Sequence, residues 1–151
     1  MRVFIDTNIL LDVLAKREGF VGSAKRLFTL CEDRVVEGWV SALSLCDCAY
    51  VLRKFMPVKD VRDKIGVLKM IFSMADIDEE VMNGALMSKM ADFEDSVQLA
   101  AAKDIQADII VTRNKTHFRG SPIKVMTPDE FLASEEKVTY RMKCGANGGT
   151  E

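Results

Sequence analysis

FIDTN, residues 4–8, places an acid directly after the first apolar run of the chain. The run 1–5 is rich in residues that favour β-strands, whereas Ile9–Leu14 is typical of a short helix. We therefore predict a strand, a corner at Asp6 and a helix that Asn8 caps. A carboxylate at such a corner either caps the helix or belongs to a site at the end of the strand.

The composition is that of one globular domain. Of the 151 residues, 48% are hydrophobic and 29% are charged, and a chain of this length buries about two-thirds of the surface that its unfolded form exposes. No apolar stretch approaches the roughly 20 residues that cross a bilayer, and the N-terminus lacks the form of a secretory signal. We expect a cytoplasmic protein with no membrane association.

Charge and cysteine content exclude some classes of protein. The net charge of −2 removes overall basicity as an argument for nucleic-acid binding, although a local basic patch is compatible with it. The cysteines form neither CxxC pairs nor a disulfide framework, so we expect reduced thiols that fill buried positions. These cysteines are Cys31, Cys46, Cys48 and Cys144.

Strands and helices alternate along the rest of the chain. Further strands are predicted over 35–40, 75–78, 107–112 and 124–126. Further helices are predicted over 23–31, 41–55, 61–72, 80–90 and 92–102, with a last one starting at 127–130. This order predicts an α/β fold, a three-layer α/β/α sandwich with a central, mostly parallel sheet. We expect the domain to span 1–135 and a mobile tail to span 136–151.

Asp47 lies in a helix that is otherwise almost entirely apolar. In LSLCDCAYVL, residues 43–52, only Ser44 and Asp47 are neither apolar nor aromatic. A helix that is apolar on all sides is buried, and an unpaired ionised carboxylate is costly there. The alternative is a helix cap, because Ser44-x-x-Asp47 resembles a capping box.

A third cluster of acids is DFED, residues 92–95. We predict that Asp92 caps a helix and that Asp95 lies on the row of Gln98, which leads toward the core. Glu94 is predicted to point elsewhere.

Three separate segments thus place an acid where the carboxyl ends of the strands should lie. These acids are Asp6, Asp47 and Asp95. Their charges would repel one another unless a divalent cation bound between them, and Mg²⁺ prefers carboxylates, waters and phosphate oxygens. The sequence therefore predicts a metal site that handles phosphate.

Four segments together resemble the PIN-domain family, over about residues 1–133. They are FIDTN at 4–8, SALSLCDCAYVLRK at 41–54, DFEDSVQLAAA at 92–102 and ADIIVTRNKTHF at 107–118. PIKVMTPDEFL, at 122–132, is also similar to the end of many PIN domains. The resemblance implies an α/β/α fold around a parallel sheet. It also implies a Mg²⁺- or Mn²⁺-dependent ribonuclease similar to VapC-type toxins.

The family's acids carry over by position. Asp6, Asp47 and Asp95 match the first three, which implies catalytic and metal-binding roles, and the second is commonly Glu in the family. Asn114 stands in place of the fourth acid, and its carbonyl oxygen can ligate a hard cation without adding charge. A second metal is therefore in question. His117 stands where a further acid often follows; it either contacts phosphate or donates a proton, or it is a surface histidine without a role.

Residues beside these acids are predicted to contact substrate. They are Thr7, Asn8, Thr112, Arg113, Asn114 and His117. The hydroxyls of Thr7 and Thr112 either join the water shell of the metal or cap helices. Other basic residues near these segments are Arg53, Lys54, Lys115 and Arg119. For Arg53 and Lys54 a solvated helix end is the favoured interpretation.

The predicted activity is metal-assisted hydrolysis of RNA phosphodiester bonds by the toxin of a type II toxin–antitoxin pair. The resemblance implies an antitoxin partner and a homodimer. One alternative is a PIN fold that binds RNA or protein without cleaving, because the fourth acid is missing. A haloacid-dehalogenase-type phosphatase is disfavoured, because that chemistry needs a second acid where this chain has Asn8.

Overall fold

The computed structural model describes residues 1–145, with side chains described through residue 136. The strands are β1 Arg2–Ile5, β2 Glu37–Ser41, β3 Ser73–Ala75, β4 Ile109–Val111 and β5 Lys124–Met126. The α-helices are α1 Thr7–Leu14, α2 Val21–Glu32, α3 Ala42–Leu52, α4 Val58–Ile71, α5 Glu79–Leu86, α6 Phe93–Asp104 and α7 Pro128–Gly145. A 3₁₀ helix spans Lys115–Phe118.

The five strands form one parallel sheet in the order β3-β2-β1-β4-β5. Side chains of the central strand alternate between its faces, because successive residues of a strand point to opposite sides. Val3 and Ile5 join a core cluster with residues of α1, α2, α3, α4 and α7. Phe4 joins a second cluster with residues of α5 and α6. The predicted α/β/α sandwich is confirmed.

This topology brings the predicted acids to one edge of the sheet. In a parallel sheet every strand ends on the same side. Asp6 follows β1, and its backbone N–H donates to the carbonyl of Val111 at the end of β4, over 3.0 Å. Thr112 follows β4, and α3 begins directly after β2.

Several predicted boundaries shift by a few residues. The third strand lies at Ser73–Ala75 rather than 75–78, because Asp78 caps α5 by accepting from the backbone N–H of Val81 over 2.9 Å. Helix α5 ends at Leu86, before the predicted 90, and β4 is shorter than predicted. These shifts leave the order of elements unchanged.

Helix α7 runs to Gly145, so the backbone is helical beyond the predicted domain end at 135. The end of the predicted tail, 146–151, lies outside the described residues. None of the described helices combines the length and apolar character that a membrane crossing requires.

The cysteines whose side chains are described are free thiols. Cys31 and Cys48 are buried as expected, and burial raises the pKa of each thiol to about 12. Cys46 is exposed, so the expectation of burial is wrong for this residue. Two positions along a helix turn the side chain by about 200°, which points Cys46 away from the core that Cys48 enters. The side chain of Cys144 lies outside the described residues.

Candidate active site

Asp6 is held rigidly at the end of β1. It caps α1, which begins at Thr7, so the prediction of Asn8 as the cap is wrong. Asp6 Oδ1 accepts from the backbone N–H of Thr7 over 2.8 Å, and Oδ2 accepts from the Thr112 hydroxyl over 2.8 Å. Burial raises the pKa of this carboxyl, and the two hydrogen bonds partly offset that rise. Asp6 can therefore cap α1 and take part in a site at the end of β1 at the same time.

Asp47 lies inside α3 and does not cap it. The cap is Ser41, whose hydroxyl accepts from the backbone N–H of Ser44 over 3.0 Å, so the Ser44-x-x-Asp47 capping box does not form. Asp47 is partly exposed, yet its Oδ2 atom is buried and has no hydrogen-bond partner. A buried carboxylate oxygen without a donor is costly, which favours a cation beside it.

Asp95 lies in the first turn of α6, as predicted. Asp92 caps this helix by accepting from the backbone N–H of Asp95 over 3.0 Å. Burial raises the pKa of Asp95, and the negative charges of Asp92 and Asp6 add to the rise. His117 Nδ1 lies 3.4 Å from Asp95 Oδ2, and its charge acts in the opposite direction.

Glu94 joins this group of acids, and the prediction that it points elsewhere is wrong. Desolvation, a hydrogen-bonding contact with Asp47 and the charge of Asp47 together raise the pKa of Glu94 to about 7. The sequence held a signal for this arrangement. Glu94 precedes Gln98 by four residues, which places both on one helix face, and Gln98 hydrogen-bonds to the Ser44 hydroxyl of α3.

The carboxyl groups of these acids are suitable ligands for a hard divalent cation, although they do not form a complete coordination group in this structure. Among the described residues, no three His, Cys, Asp or Glu side chains are arranged as one metal-binding set. Asp47 and Glu94 nevertheless bring two carboxyl groups together, and one oxygen of Asp47 lacks any donor. Carboxylate oxygens with room for waters are the ligands that Mg²⁺ and Mn²⁺ prefer.

Thr7 and Thr112 have different surroundings. The Thr7 hydroxyl lies 2.8 Å from the Ser44 hydroxyl and accepts from Gln98 Nε2 over 3.2 Å. The Thr7 hydroxyl therefore belongs to a buried polar network that joins α1, α3 and α6. The Thr112 hydroxyl orients Asp6 and accepts from the backbone N–H of Asn114 over 3.2 Å.

Asn114 and Asn8 are engaged with neighbours in the chain. Asn114 caps the 3₁₀ helix, and its Oδ1 accepts from the Thr116 hydroxyl over 2.5 Å and from the Thr116 backbone N–H over 3.3 Å. The oxygen that was predicted to ligate a metal is thus used in a cap. Asn8 Oδ1 accepts from Arg17 Nη1 over 3.3 Å.

Arg113 lies beside the site and is paired with a residue that sequence reasoning missed. Its Nε lies 3.4 Å from Oδ2 of Asp12, which is 1% exposed. The charge of Arg113 also lowers the pKa of Asp6, which places the guanidinium within electrostatic range of the site. The signal was available, since Asp12 is an acid in an apolar helical run, as Asp47 is.

Other basic residues differ in their access to the site. The side chains of Arg53 and Lys54 lie over the ring of Tyr50, which agrees with a helix end rather than a phosphate contact. Lys115 pairs with Glu130 over 2.7 Å. A cleft of about 480 Å³ opens beside Asp95 and His117, and its lining includes Lys89 and Arg119.

This architecture defines a class of protein: an α/β/α domain with acids collected at the carboxyl edge of a parallel sheet. Within that class, a family model described as PIN domain matches residues 2–116. The chain therefore belongs to the PIN-domain family, as the motifs predicted. No curated protein sequence matches it.

Solved structures share the fold. One is a toxin–antitoxin complex from Klebsiella pneumoniae, 22% identical over 83% of this chain and 97% of that chain, with a TM-score of 0.64. A second is VapBC2 from Rickettsia felis bound to a promoter DNA fragment, 15% identical over 84% and 98%, with a TM-score of 0.65. A third is VapC20 from Mycobacterium tuberculosis, a toxin that cleaves the sarcin–ricin loop, 12% identical over 76% and 92%, with a TM-score of 0.62.

Proposed function

We propose that this protein is a metal-dependent endoribonuclease and the toxin of a type II toxin–antitoxin pair. The observation that carries the proposal is the convergence of acids from three separate elements at the carboxyl edge of the sheet. Asp6 and Asp95 influence each other electrostatically, and Asp47 contacts Glu94. The Mycobacterium protein of the same fold is described as a toxin that cleaves the sarcin–ricin loop, which supports RNA as the substrate.

Asp6, Asp47 and Asp95 would hold Mg²⁺ or Mn²⁺. When bound, such an ion lowers the pKa of a coordinated water and neutralises charge that develops on the reacting phosphate. Glu94 would support this set, because its carboxyl group contacts that of Asp47 and would add negative charge for the cation. Asn114 is not among the ligands that we propose, since its oxygen is used in a cap.

Neighbouring residues orient Asp6 or lie beside Asp95. Thr112 and the Thr7 backbone N–H fix both oxygens of Asp6, so that the carboxylate needs no reorganisation when a charged substrate arrives. His117 is exposed beside Asp95, where it can donate a proton to the departing sugar oxygen or contact a phosphate. The hydroxyl that bonds to Asp6 belongs to Thr112, which is fully buried, so direct attack by water is the proposed reaction.

The proposed partners follow from the same fold. The Klebsiella and Rickettsia structures are described as toxin–antitoxin assemblies, which supports a cognate antitoxin for this chain. A homodimer and a cytoplasmic location complete the proposal. If a short reading frame adjoins the gene, co-expression of the two proteins followed by co-purification would test for an antitoxin.

Cleavage of RNA tests the activity. We expect the wild type to cut RNA with Mg²⁺ or Mn²⁺ and not with EDTA, and we expect Asp6→Asn and Asp95→Asn to lower the rate at least about a hundredfold. Asp33→Asn is a matched control, because this exposed acid follows α2, far from the carboxyl edge of the sheet. Equal cleavage by all four proteins would refute the proposal.

A module that binds without cleaving is the second candidate, favoured by the cap role of Asn114 and by the open arrangement of the acids. Titration with Mn²⁺ separates the two, with heat or electron paramagnetic resonance as the signal. A nuclease binds the ion, and Asp6→Asn weakens that binding. A binding module of the second kind takes up RNA with no Mn²⁺ bound and without cleavage.

A further inference from the structure

Asp12 is a buried acid that the proposed chemistry does not use. It is 1% exposed, and neither of its side-chain oxygens has a hydrogen bond. Its salt-bridge partners among the described residues are two arginines: Arg17 Nη1 lies 3.6 Å from Oδ1 and Arg113 Nε lies 3.4 Å from Oδ2. Burial raises the pKa of Asp12, and the arginine charges oppose that rise only in part. Ion pairs with this geometry are a weak source of stability.

Phe20 completes the surroundings of Arg113. The guanidinium carbon lies 4.2 Å from the centre of the Phe20 ring, within the range of a cation–π contact. The ring is 48% exposed, and the Arg113 side chain is 26% exposed. Arg113 is thus fixed on two sides, by a carboxylate and by an aromatic face, at the rim of the acid site.

The remaining donors of Arg113 are available to a ligand. Among the described side chains, Arg113 forms a salt bridge with Asp12 through Nε and a cation–π contact with Phe20, and the hydrogen bonds there include none donated by Nη1 or Nη2. Arg113 directly follows Thr112, which bonds to Asp6, and the charge of Arg113 lowers the pKa of Asp6, so the guanidinium lies within electrostatic range of the site. Two parallel N–H donors match two oxygens of a phosphate.

We propose that Asp12 and Phe20 form a clamp that presents the guanidinium of Arg113 to one phosphate of a single-stranded RNA. Asp12 is a positioning residue in this arrangement, and Arg113 makes the contact. The inference rests on the proposed function for the identity of the ligand. Asp12 thus orients Arg113, and the cost of this role is a buried charge in α1.

The charge of Asp12 makes the clamp testable. Asp12→Asn removes a negative charge near the RNA path, and that change alone would tighten the binding of a polyanion. The clamp predicts the opposite sign: RNA binding weakens about threefold, because Arg113 loses its fixed position. A purely structural role for Asp12 predicts unchanged or tighter binding by the folded protein.

The assay is binding of a fluorescent, mixed-sequence single-stranded RNA in EDTA, which blocks metal-dependent cleavage, across a range of NaCl concentrations. We expect Arg113→Ala to weaken binding about fivefold and to lower the slope of log K against log salt by about 0.7, the value for one lost phosphate contact on a single strand. In the Arg113→Ala background, Asp12→Asn should weaken binding no further.

Two further variants complete the binding experiment. Phe20→Leu opens the clamp without altering the buried acid and should also weaken binding, so the test survives if Asp12→Asn fails to fold. Arg26→Ala removes the same charge as Arg113→Ala from an exposed site on α2 and should leave the salt slope unchanged. If the wild type binds RNA and Arg113→Ala or Phe20→Leu binds equally well, the clamp is refuted. If the wild type binds no RNA, the proposed function falls with it.

Discussion

Replacing Gln98 with Leu should destabilise the protein and disturb the acid site together. Gln98 is 1% exposed and makes three side-chain hydrogen bonds between helices. It donates to Thr7 Oγ1 over 3.2 Å and to Ser44 Oγ over 2.9 Å, and it accepts from Ser41 Oγ over 2.8 Å. These bonds join α1, α3 and α6, the helices that carry or follow the three acids.

The magnitude follows from the bonds that are lost. Three bonds at about 1 kcal/mol each give about 3 kcal/mol. The hydroxyls remain partly satisfied without Gln98, because Ser44 still bonds to Thr7 and to Ser41 over 2.8 and 3.1 Å. We therefore expect a loss of about 2–3 kcal/mol in the free energy of unfolding. For a domain of this size, that corresponds to a fall of roughly 4–12 °C in the thermal midpoint.

Urea unfolding followed by circular dichroism measures the loss, with RNA cleavage assayed in parallel. Lys103→Leu, at an exposed position of the same helix, is the control and should change stability by no more than about 0.5 kcal/mol. If Gln98→Leu matched this control in stability, the buried network would contribute nothing. The account of how the acids are positioned would then be wrong.

Three further predictions concern packing and charge. Gly38→Ala should lower the free energy of unfolding in urea by about 1–3 kcal/mol, because a Cβ there would lie 2.6 Å from Cys31 Sγ. Gly66→Ala has open space around it and should stabilise α4 by about 0.5–1 kcal/mol. Equal effects of the two variants would contradict this prediction. The folded protein keeps a proton on Glu94 to about pH 7, whereas the ordinary pKa is 4.5, so this group's contribution to stability is present below pH 4.5 and is lost as the pH rises toward 7. Glu94→Gln should therefore lose less stability than the wild type between pH 4.5 and 7 in denaturant titrations, and parallel curves would contradict the prediction. Asp6→Asn should raise the thermal midpoint at pH 7 while it abolishes cleavage, because burial disfavours the charged form of Asp6; a lower midpoint would show that the cap outweighs that cost.

The order of elements and three of the acids could be predicted because both depend on local patterns. Apolar runs broken by turn and cap residues give the alternation of strands and helices, and a parallel sheet then places every strand end at one edge. Asp6 and Asp47 were conspicuous because each is an acid within an apolar surrounding. The motif resemblance to PIN domains added the family, which the family model confirms over residues 2–116.

The partners of those acids depended on helix orientation across the sheet. The contact between Glu94 and Asp47 depends on how α3 and α6, which join core clusters on opposite faces of the sheet, meet at its carboxyl edge. Spacing along one helix does not determine that neighbour. The bond from Thr112 to Asp6 joins residues 106 positions apart, and that from Gln98 to Thr7 joins residues 91 apart. Such contacts exist only in the folded chain.

Sequence by itself therefore determined the architecture, the family and the edge of the sheet at which the acids collect. Tertiary structure decided which groups surround these residues: Glu94 beside Asp47, a cap that uses the Asn114 oxygen, and a buried polar network around Thr7. It also revealed Asp12 beneath Arg113. The physical reason is that burial and pairing set the cost of a charge, and both are properties of the assembled chain.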